Sequence, residues 1–329
     1  MSGIGEKLVT DKERVSGTHS STNRQVVRYI PVILVFMGAL SLALFVPYFF
    51  TARNIIDVLL QCSAFGLMAI GESAVLIGGG IDLSCPSIMA LSGIFGAMFM
   101  QTGGNPVLAG LIMVTVAILI GAINGYAVAY LRMVPFVVTL SMMYILSGAA
   151  LWVTKSVSIP ITNATFINTV LAKIWIIPLP VIVFFLITAI AEVFMSKSLY
   201  GRWLYATGTN VKAARVSHIP VQRVYFGTYV FSGFCAGLAA IILTARLMGG
   251  AATMGTSGDL LTVISSAVVG GVSIYGGVGS MLGAAIGALL ITLITNCMNL
   301  MHVSYYWTLI IKGLVIVIAV GLDSLRRRQ

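Results

Sequence analysis

The sequence predicts an all-α, polytopic membrane protein, and three observations carry that expectation. Hydrophobic residues make up 59% of the chain and charged residues only 9%, a balance that one soluble core of 329 residues cannot bury. Several apolar runs reach the roughly 20 residues that a helix needs to cross a hydrocarbon core of about 30 Å. Within those runs apolar and polar residues do not alternate, as they would along the strands of a membrane barrel.

The first 28 residues are polar and of mixed charge, with no short apolar core and no small-residue cleavage site. They read as a disordered cytoplasmic tail, set at residues 1–29, and not as a leader. Spans follow near 30–50, 58–79, 86–102, 107–130, 134–153, 174–195, 224–245, 260–275, 281–301 and 305–322. About ten helices therefore build a membrane domain at 30–323, with a polar loop at 196–223 inside it and a basic cytoplasmic tail at 324–329. The segments near 86–102 and 260–275 are short and rich in small residues, as partial or broken helices buried among others would be.

Charge sets the orientation. With both termini cytoplasmic, the inner segments hold Lys7, Lys12, Arg14, Arg24, Arg28, Arg132, Lys197, Arg202, Lys212, Arg215, Arg223, Arg326, Arg327 and Arg328, fourteen of the nineteen basic residues. Cytoplasmic flanks of membrane helices are enriched in Lys and Arg, so this orientation is favoured. The net charge of +10 is then a topology signal that anionic membrane lipid can screen. It is no sign of nucleic-acid binding, because the basic residues are divided among segments that no single groove could contact.

Cys62, Cys85, Cys235 and Cys297 stand singly in or beside apolar spans. With no CxxC spacing and no paired histidine, they read as small buried hydrophobes, and no metal site is expected. The stretch IGGGIDLSCPS, Ile77 to Ser87, is more informative. Its glycines let backbones approach, Pro86 suits the start of a helix, and Ser84 is placed to cap it. Two readings of Asp82 stand side by side: a capping carboxylate in a tight turn, and a direct contact to a solute. VVGGVSIYGGVGS, Val268 to Ser280, repeats the theme of a glycine-broken apolar segment, which in a transporter marks an internal repeat.

Polar groups inside spans complete the candidate set: Gln61, Glu72, Asn124, Thr139, Asn296 and Asn299. Such groups in hydrocarbon pair with one another or face a water-filled passage, and for the asparagines hydrogen bonding between helices is the simpler role. Together with Asp82 they form the candidate translocation path. Amides and aromatic rings such as Tyr126, Tyr305, Tyr306 and Trp307 would suit a polyhydroxylated solute. The last three also suit anchoring at the membrane interface.

Five ordered blocks then carry a resemblance: GGIDLS at Gly79–Ser84, GAINGYAVAYLRMVPFVVTL at Gly121–Leu140, GRWLYATGTNVKAARVSHI at Gly201–Ile219, GGVSIYGGVGS at Gly270–Ser280 and VSYYWTLIIKG at Val303–Gly313. Over nearly all of the chain after residue 30 they resemble permease subunits of bacterial ATP-binding-cassette importers for ribose, other simple sugars and the furanosyl autoinducer. The resemblance implies that a periplasmic binding protein delivers the solute, that a second permease subunit, identical or related, completes the path, and that cytosolic ATP-binding subunits use ATP and Mg. It also implies that Gly201, Arg202, Ala206, Thr207, Gly208, Asn210, Lys212, Ala213, Ala214 and Arg215 form the helix that couples to the ATPase. The residues agree: Thr207, Gly208 and Asn210 suit a helix start, small side chains permit close seating, and Lys212 and Arg215 can pair with an acidic surface.

Two departures from the family pattern stand out. Cys85 and Pro86 follow GIDLS where Val and Gly are common, and His218 follows the serine where Gly is common. The chain has no GxxxxGK[ST] phosphate loop and is expected to be non-catalytic, with no cofactor of its own. An ion-coupled secondary transporter centred on Glu72 and Asp82 is the alternative. A membrane enzyme would need a reactive cluster, and His19, His218 and His302 lie far apart along the chain.

Overall fold

The computed structural model describes residues 46–327 apart from residue 256. The tail expected at 1–29 and the greater part of the span expected at 30–50 lie outside the described residues. Helices occur where apolar runs have a helix-starting residue before them. Helix α1 (Ala52–Ile77) begins after Thr51, whose hydroxyl accepts from Asn54 N at 3.3 Å. A tight turn leads to α2 (Cys85–Gln101), where Pro86 occupies the first turn. Asn105 caps α3 (Pro106–Ala129), and Pro135 opens α4 (Pro135–Thr154). In each case proline sits where its missing N–H has no partner to lose.

Residues 155–178 form a small cap at one end of the bundle. It comprises β1 (Ile159–Pro160), the short α5 (Ala164–Val170) and a hairpin of β2 (Lys173–Ile174) with β3 (Ile177–Pro178). Next come α6 (Leu179–Lys197), α7 (Leu199–Thr209), α8 (Val211–Val216) and α9 (Val221–Arg246). Strand β4 (Gly249–Gly250) pairs antiparallel with β1, Ile159 opposite Gly250, and a 3-10 turn at Ala252–Gly255 packs on α2. Helices α10 (Ser257–Val269), α11 (Met281–Leu300) and α12 (Tyr305–Arg327) complete the chain.

Among the described residues six helices, α1, α3, α4, α6, α9 and α11, are long and apolar enough to cross a membrane, and α2 and α12 contribute shorter apolar stretches. The chain is thus a mostly helical, multi-pass membrane protein. The segment expected at 260–275 is helical only to Val269, because Gly270 and the positive φ of Gly271 end it. Helix α12 continues through Arg327, so four residues of the expected basic tail belong to it.

Helices α1 and α9 form the centre, and α2, though only 17 residues long, is buried along most of its length. Helices α3, α4 and α6 instead leave large apolar side chains uncovered, among them Leu111, Leu119, Tyr144, Trp152 and Phe185. That outward apolar face is what lipid requires, since only backbone polar groups satisfied within a helix are tolerated there. Lipid also removes the hydrophobic drive between helices, so close packing must hold them together. The sequence meets this with facing glycine pairs. Gly121 of α3 meets Gly233 of α9 so closely that a Cβ at Gly233 would lie 2.5 Å from Ala117 O, while Gly125 abuts the backbone of Phe226 and Gly237 that of Val114. Gly283 and Gly287 of α11 likewise abut the backbone of Gly270 and Ser266, at and just beyond the end of α10.

Candidate functional site

Asp82 lies in the turn between α1 and α2, wholly out of contact with solvent. The turn forms because Gly78 ends α1, the positive φ of Gly79 (85°) redirects the chain, and Pro86 restarts the helix. Asp82 Oδ1 accepts from Ser84 N at 3.0 Å and from Ser84 Oγ at 2.6 Å. Its Oδ2 accepts from Ser232 Oγ of α9 at 2.8 Å, and its amide donates to Glu72 Oε1 of α1 at 3.2 Å. Asn124 Nδ2 of α3 donates to Ser84 Oγ at 2.8 Å. Thr139 of α4 and Tyr229 of α9 both donate to the carbonyl of Ile81, at 3.2 and 3.3 Å.

One acidic turn therefore joins α1, α3, α4 and α9. Four residues of the expected path, Glu72, Asp82, Asn124 and Thr139, meet here, all of them buried. Ser84 does occupy the capping position of α2, but its side chain makes no bond to the helix and instead links Asp82 to Asn124. Two acceptor atoms, Glu72 Oε2 and Asn124 Oδ1, have no hydrogen-bond partner among the described residues. Unfilled buried acceptors are unfavourable, so the cluster is chemically suited to receive hydroxyl or other O–H and N–H donors.

The other expected path residues lie elsewhere. Gln61 is half-buried in the first half of α1. Asn296 of α11 exchanges two hydrogen bonds with Asn54, Nδ2 to Oδ1 at 2.8 and 3.0 Å. Asn299, a turn further along, is exposed. Ser232, Tyr229 and Asn54 are the partners that sequence reading did not name. Lys312, buried in α12 with its Nζ donating to Thr262 Oγ1 at 2.8 Å, is a further omission. A cation within an apolar span is the same signal that singles out Glu72.

The segment expected to couple is built as two helices at the opposite end of the bundle from the β-strand cap. Ser198 caps α7 by accepting from Gly201 N at 3.0 Å, and Gly201 presses on the Met195 backbone. Thr207 and Gly208 do not start a helix; they form the last turns of α7. Asn210 does start one, its Oδ1 accepting from Ala213 N at 3.0 Å to cap α8. Ala206 is half-buried, and Thr207 and Ala214 face inward. Arg202, Asn210, Lys212, Ala213 and Arg215 are exposed.

Gly208 sits at a junction of three backbones. A Cβ there would collide with Ile77 O at the end of α1 and come within 2.6 Å of Gly277 N. Gly277 N in turn donates to Ile77 O at 2.8 Å. Gly276 and Gly277 hold φ values of 85° and 74° to make this approach, and a Cβ on Gly276 would lie 3.0 Å from Gly79 Cα. The end of α7 thus touches both glycine-broken segments, meeting one of them at Ile77, five residues before Asp82.

Among the described residues, no group of three or more His, Cys, Asp or Glu side chains is placed to hold a metal ion. A helical bundle of apolar spans, a buried polar hub and an exposed basic helix at one end together define a membrane-transport permease. The chain belongs to the family described as the permease component of branched-chain amino acid transport systems, which matches residues 54–320. Its relatives include the D-allose transport system permease protein AlsC of Escherichia coli (strain K12), 36% identical over 90% of each chain. The ribose import permease protein RbsC of Bacillus subtilis (strain 168) is 36% identical over 97% of this chain and 98% of its own. The xylose transport system permease protein XylH of Escherichia coli (strain K12) is 28% identical over 85% of this chain and 87% of its own. No solved structure matches the chain.

Proposed function

We propose that this chain is the membrane-spanning subunit of a bacterial ATP-binding-cassette importer and forms the path for a monosaccharide or related furanosyl solute. A periplasmic binding protein delivers the solute, a second permease subunit completes the path, and cytosolic subunits that use ATP and Mg seat against α7 and α8. The protein lies in the inner membrane with both termini cytoplasmic and makes about ten crossings, with a helix broken at GIDLS. The relatives named for allose, ribose and xylose support a sugar as solute.

The observation that carries this reading is the junction at Gly208. An ordinary basic loop needs no seat, yet α7 ends wedged between Ile77 O and Gly277, while α8 projects the exposed Lys212 and Arg215. A push on α8 from a partner would be transmitted to the turn that holds Asp82, where Glu72 Oε2 and Asn124 Oδ1 offer acceptors to solute hydroxyls. Arg215→Glu tests it in the reconstituted importer. The variant should reach the membrane at normal level while solute-driven uptake falls at least about tenfold, the effect of losing ~1.4 kcal/mol of charge complementarity at the docked surface. Normal uptake would remove the coupling assignment. The ion-coupled alternative rests on the buried Glu72 and Asp82 carboxylates, and uptake that persists without ATP but is abolished by Glu72→Gln would favour it.

A further inference from the structure

Between α6 and α9 runs an open groove of about 310 Å³ that the transport reading does not use. Ile187, Ile190 and Phe194 of α6 face Phe231 and Phe234 of α9 across it, and it closes at Gly227 and Tyr200. A Cβ at Gly227 would lie 2.5 Å from the Tyr200 hydroxyl, so glycine there lets the Tyr200 ring lie against α9. That hydroxyl donates to Val224 O at 2.8 Å, and the Thr228 hydroxyl, also in the wall, donates to Tyr225 O at 2.8 Å. Both polar groups of the lining have therefore given their protons to the backbone. With an otherwise apolar lining and no free hydroxyl donor, the groove suits a hydrocarbon chain better than a sugar.

The closed end carries the charge. Lys197 follows Phe194 by three residues on α6, and Arg223 precedes Gly227 by four on α9, so each rises from the groove-lining face one turn beyond the apolar wall. Both are exposed. No acid balances them nearby in sequence: residues 193–258 contain six Lys or Arg and no Asp or Glu. Glu192, the preceding acid, is turned to α11, where its Oε2 accepts from Met281 N at 2.7 Å and Leu282 N at 3.0 Å.

An apolar slot that ends in two cations with no acid near them in sequence suits an amphiphile with an anionic head. We propose that the groove holds an acyl chain of an anionic phospholipid whose phosphate is bound by Lys197 and Arg223. Long basic side chains beside an apolar slot reach the headgroup level naturally, and each adds affinity for an anionic over a zwitterionic headgroup. The inference stands whether or not the chain serves an ATP-driven importer.

The test is photo-crosslinking of the full chain in nanodiscs, using phosphatidylglycerol or phosphatidylcholine with the same diazirine-bearing acyl chain, followed by peptide mapping. The phosphatidylglycerol probe should label peptides containing Ile190 and Phe231 at least fivefold more than the phosphatidylcholine probe. Lys197→Gln with Arg223→Gln should bring the two to the same level, and Ile190→Trp, which fills the slot, should abolish labelling there by both. Unchanged melting of the exposed Lys197/Arg223 double variant establishes that the loss is local. Equal labelling by the two probes, or labelling indifferent to the double variant, overturns the proposal. So does a cross-link to another protein chain from a photoreactive benzophenone side chain placed at Phe231, which would make the groove a subunit interface.

Discussion

At the scale of single residues, Asp82 has a part that no neighbour can take over. Three donors converge on its carboxylate, from the amide and hydroxyl of Ser84 and from the hydroxyl of Ser232, and the last reaches it from a helix 150 residues away in sequence. Removing the donor to a buried carboxyl leaves an acceptor unsatisfied and loses about 1–3 kcal/mol. Ser232→Ala should therefore lower the stability of the detergent-solubilised protein by about that amount, read as a fall in its melting temperature. Ser217→Ala, exposed beyond α8, should leave it unchanged. Equal behaviour of the two variants would mean that Ser232 does not support the turn. Asp82, Glu72, Asn124 and Thr139 were each visible in the sequence as polar groups in apolar surroundings. Their meeting was not, because it depends on α3, α4 and α9 converging on one turn, and Ser232 itself is too common a residue in membrane helices to stand out. Lys312 was visible by the same rule as Glu72 and belongs with it.

At the scale of elements, glycine spacing decides which helices touch. The pairs Gly121–Gly125, Gly233–Gly237 and Gly283–Gly287 each place two glycines one turn apart on one face, and each lies against another helix backbone. Gly233→Ile would drive a branched side chain into Ala117 O and the Cα of Gly121, backbone atoms that cannot move aside. A loss of about 1–3 kcal/mol or more is expected, with aggregation on size-exclusion chromatography. Gly148→Ile is the control, since nothing lies within 4 Å of a Cβ there. If both variants migrate and melt like the parent, the α3–α9 contact is not what holds those helices. The long spans were legible because apolar length alone forces them, and among those that the described residues cover the ends agree with the observed helices to within a few residues except at the α1 start, the sixth span, the eighth and the end of the tenth. Residues 155–178 were not legible as a cap, for two-residue strands and a seven-residue helix leave no periodicity to detect. Thr207 and Gly208 were misassigned as helix starters because their role is fixed by contact with Ile77 and Gly277, far off in sequence.

At the scale of the whole molecule, the two ends of the bundle differ in charge. Arg132, Lys197, Arg202, Lys212, Arg215 and Arg223 gather at the end that carries α7 and α8, against Arg53, Lys155, Lys173 and Arg246 at the end that carries the β-strand cap. On the positive-inside rule we propose that the first end is the cytoplasmic one. Accessibility can be read directly, because the four native cysteines are all buried. In spheroplasts a membrane-impermeant maleimide should label Trp175→Cys, on the exposed turn of the hairpin, and should reach Ser217→Cys only after permeabilisation. The opposite pattern would invert the protein and with it the docking surface.

The paired amides of Asn54 and Asn296 have a mechanical consequence. They fasten the beginning of α1 to the far end of α11, while the bond from Gly277 to Ile77 fastens the end of α1 to the chain that leads into α11. Glu192 of α6 grips the first amides of α11 as well. Two rods latched at both ends resist sliding and splaying against each other, so the structure favours α1 and α11 moving as one strut. A route through this protein would then open and close more easily along some other seam.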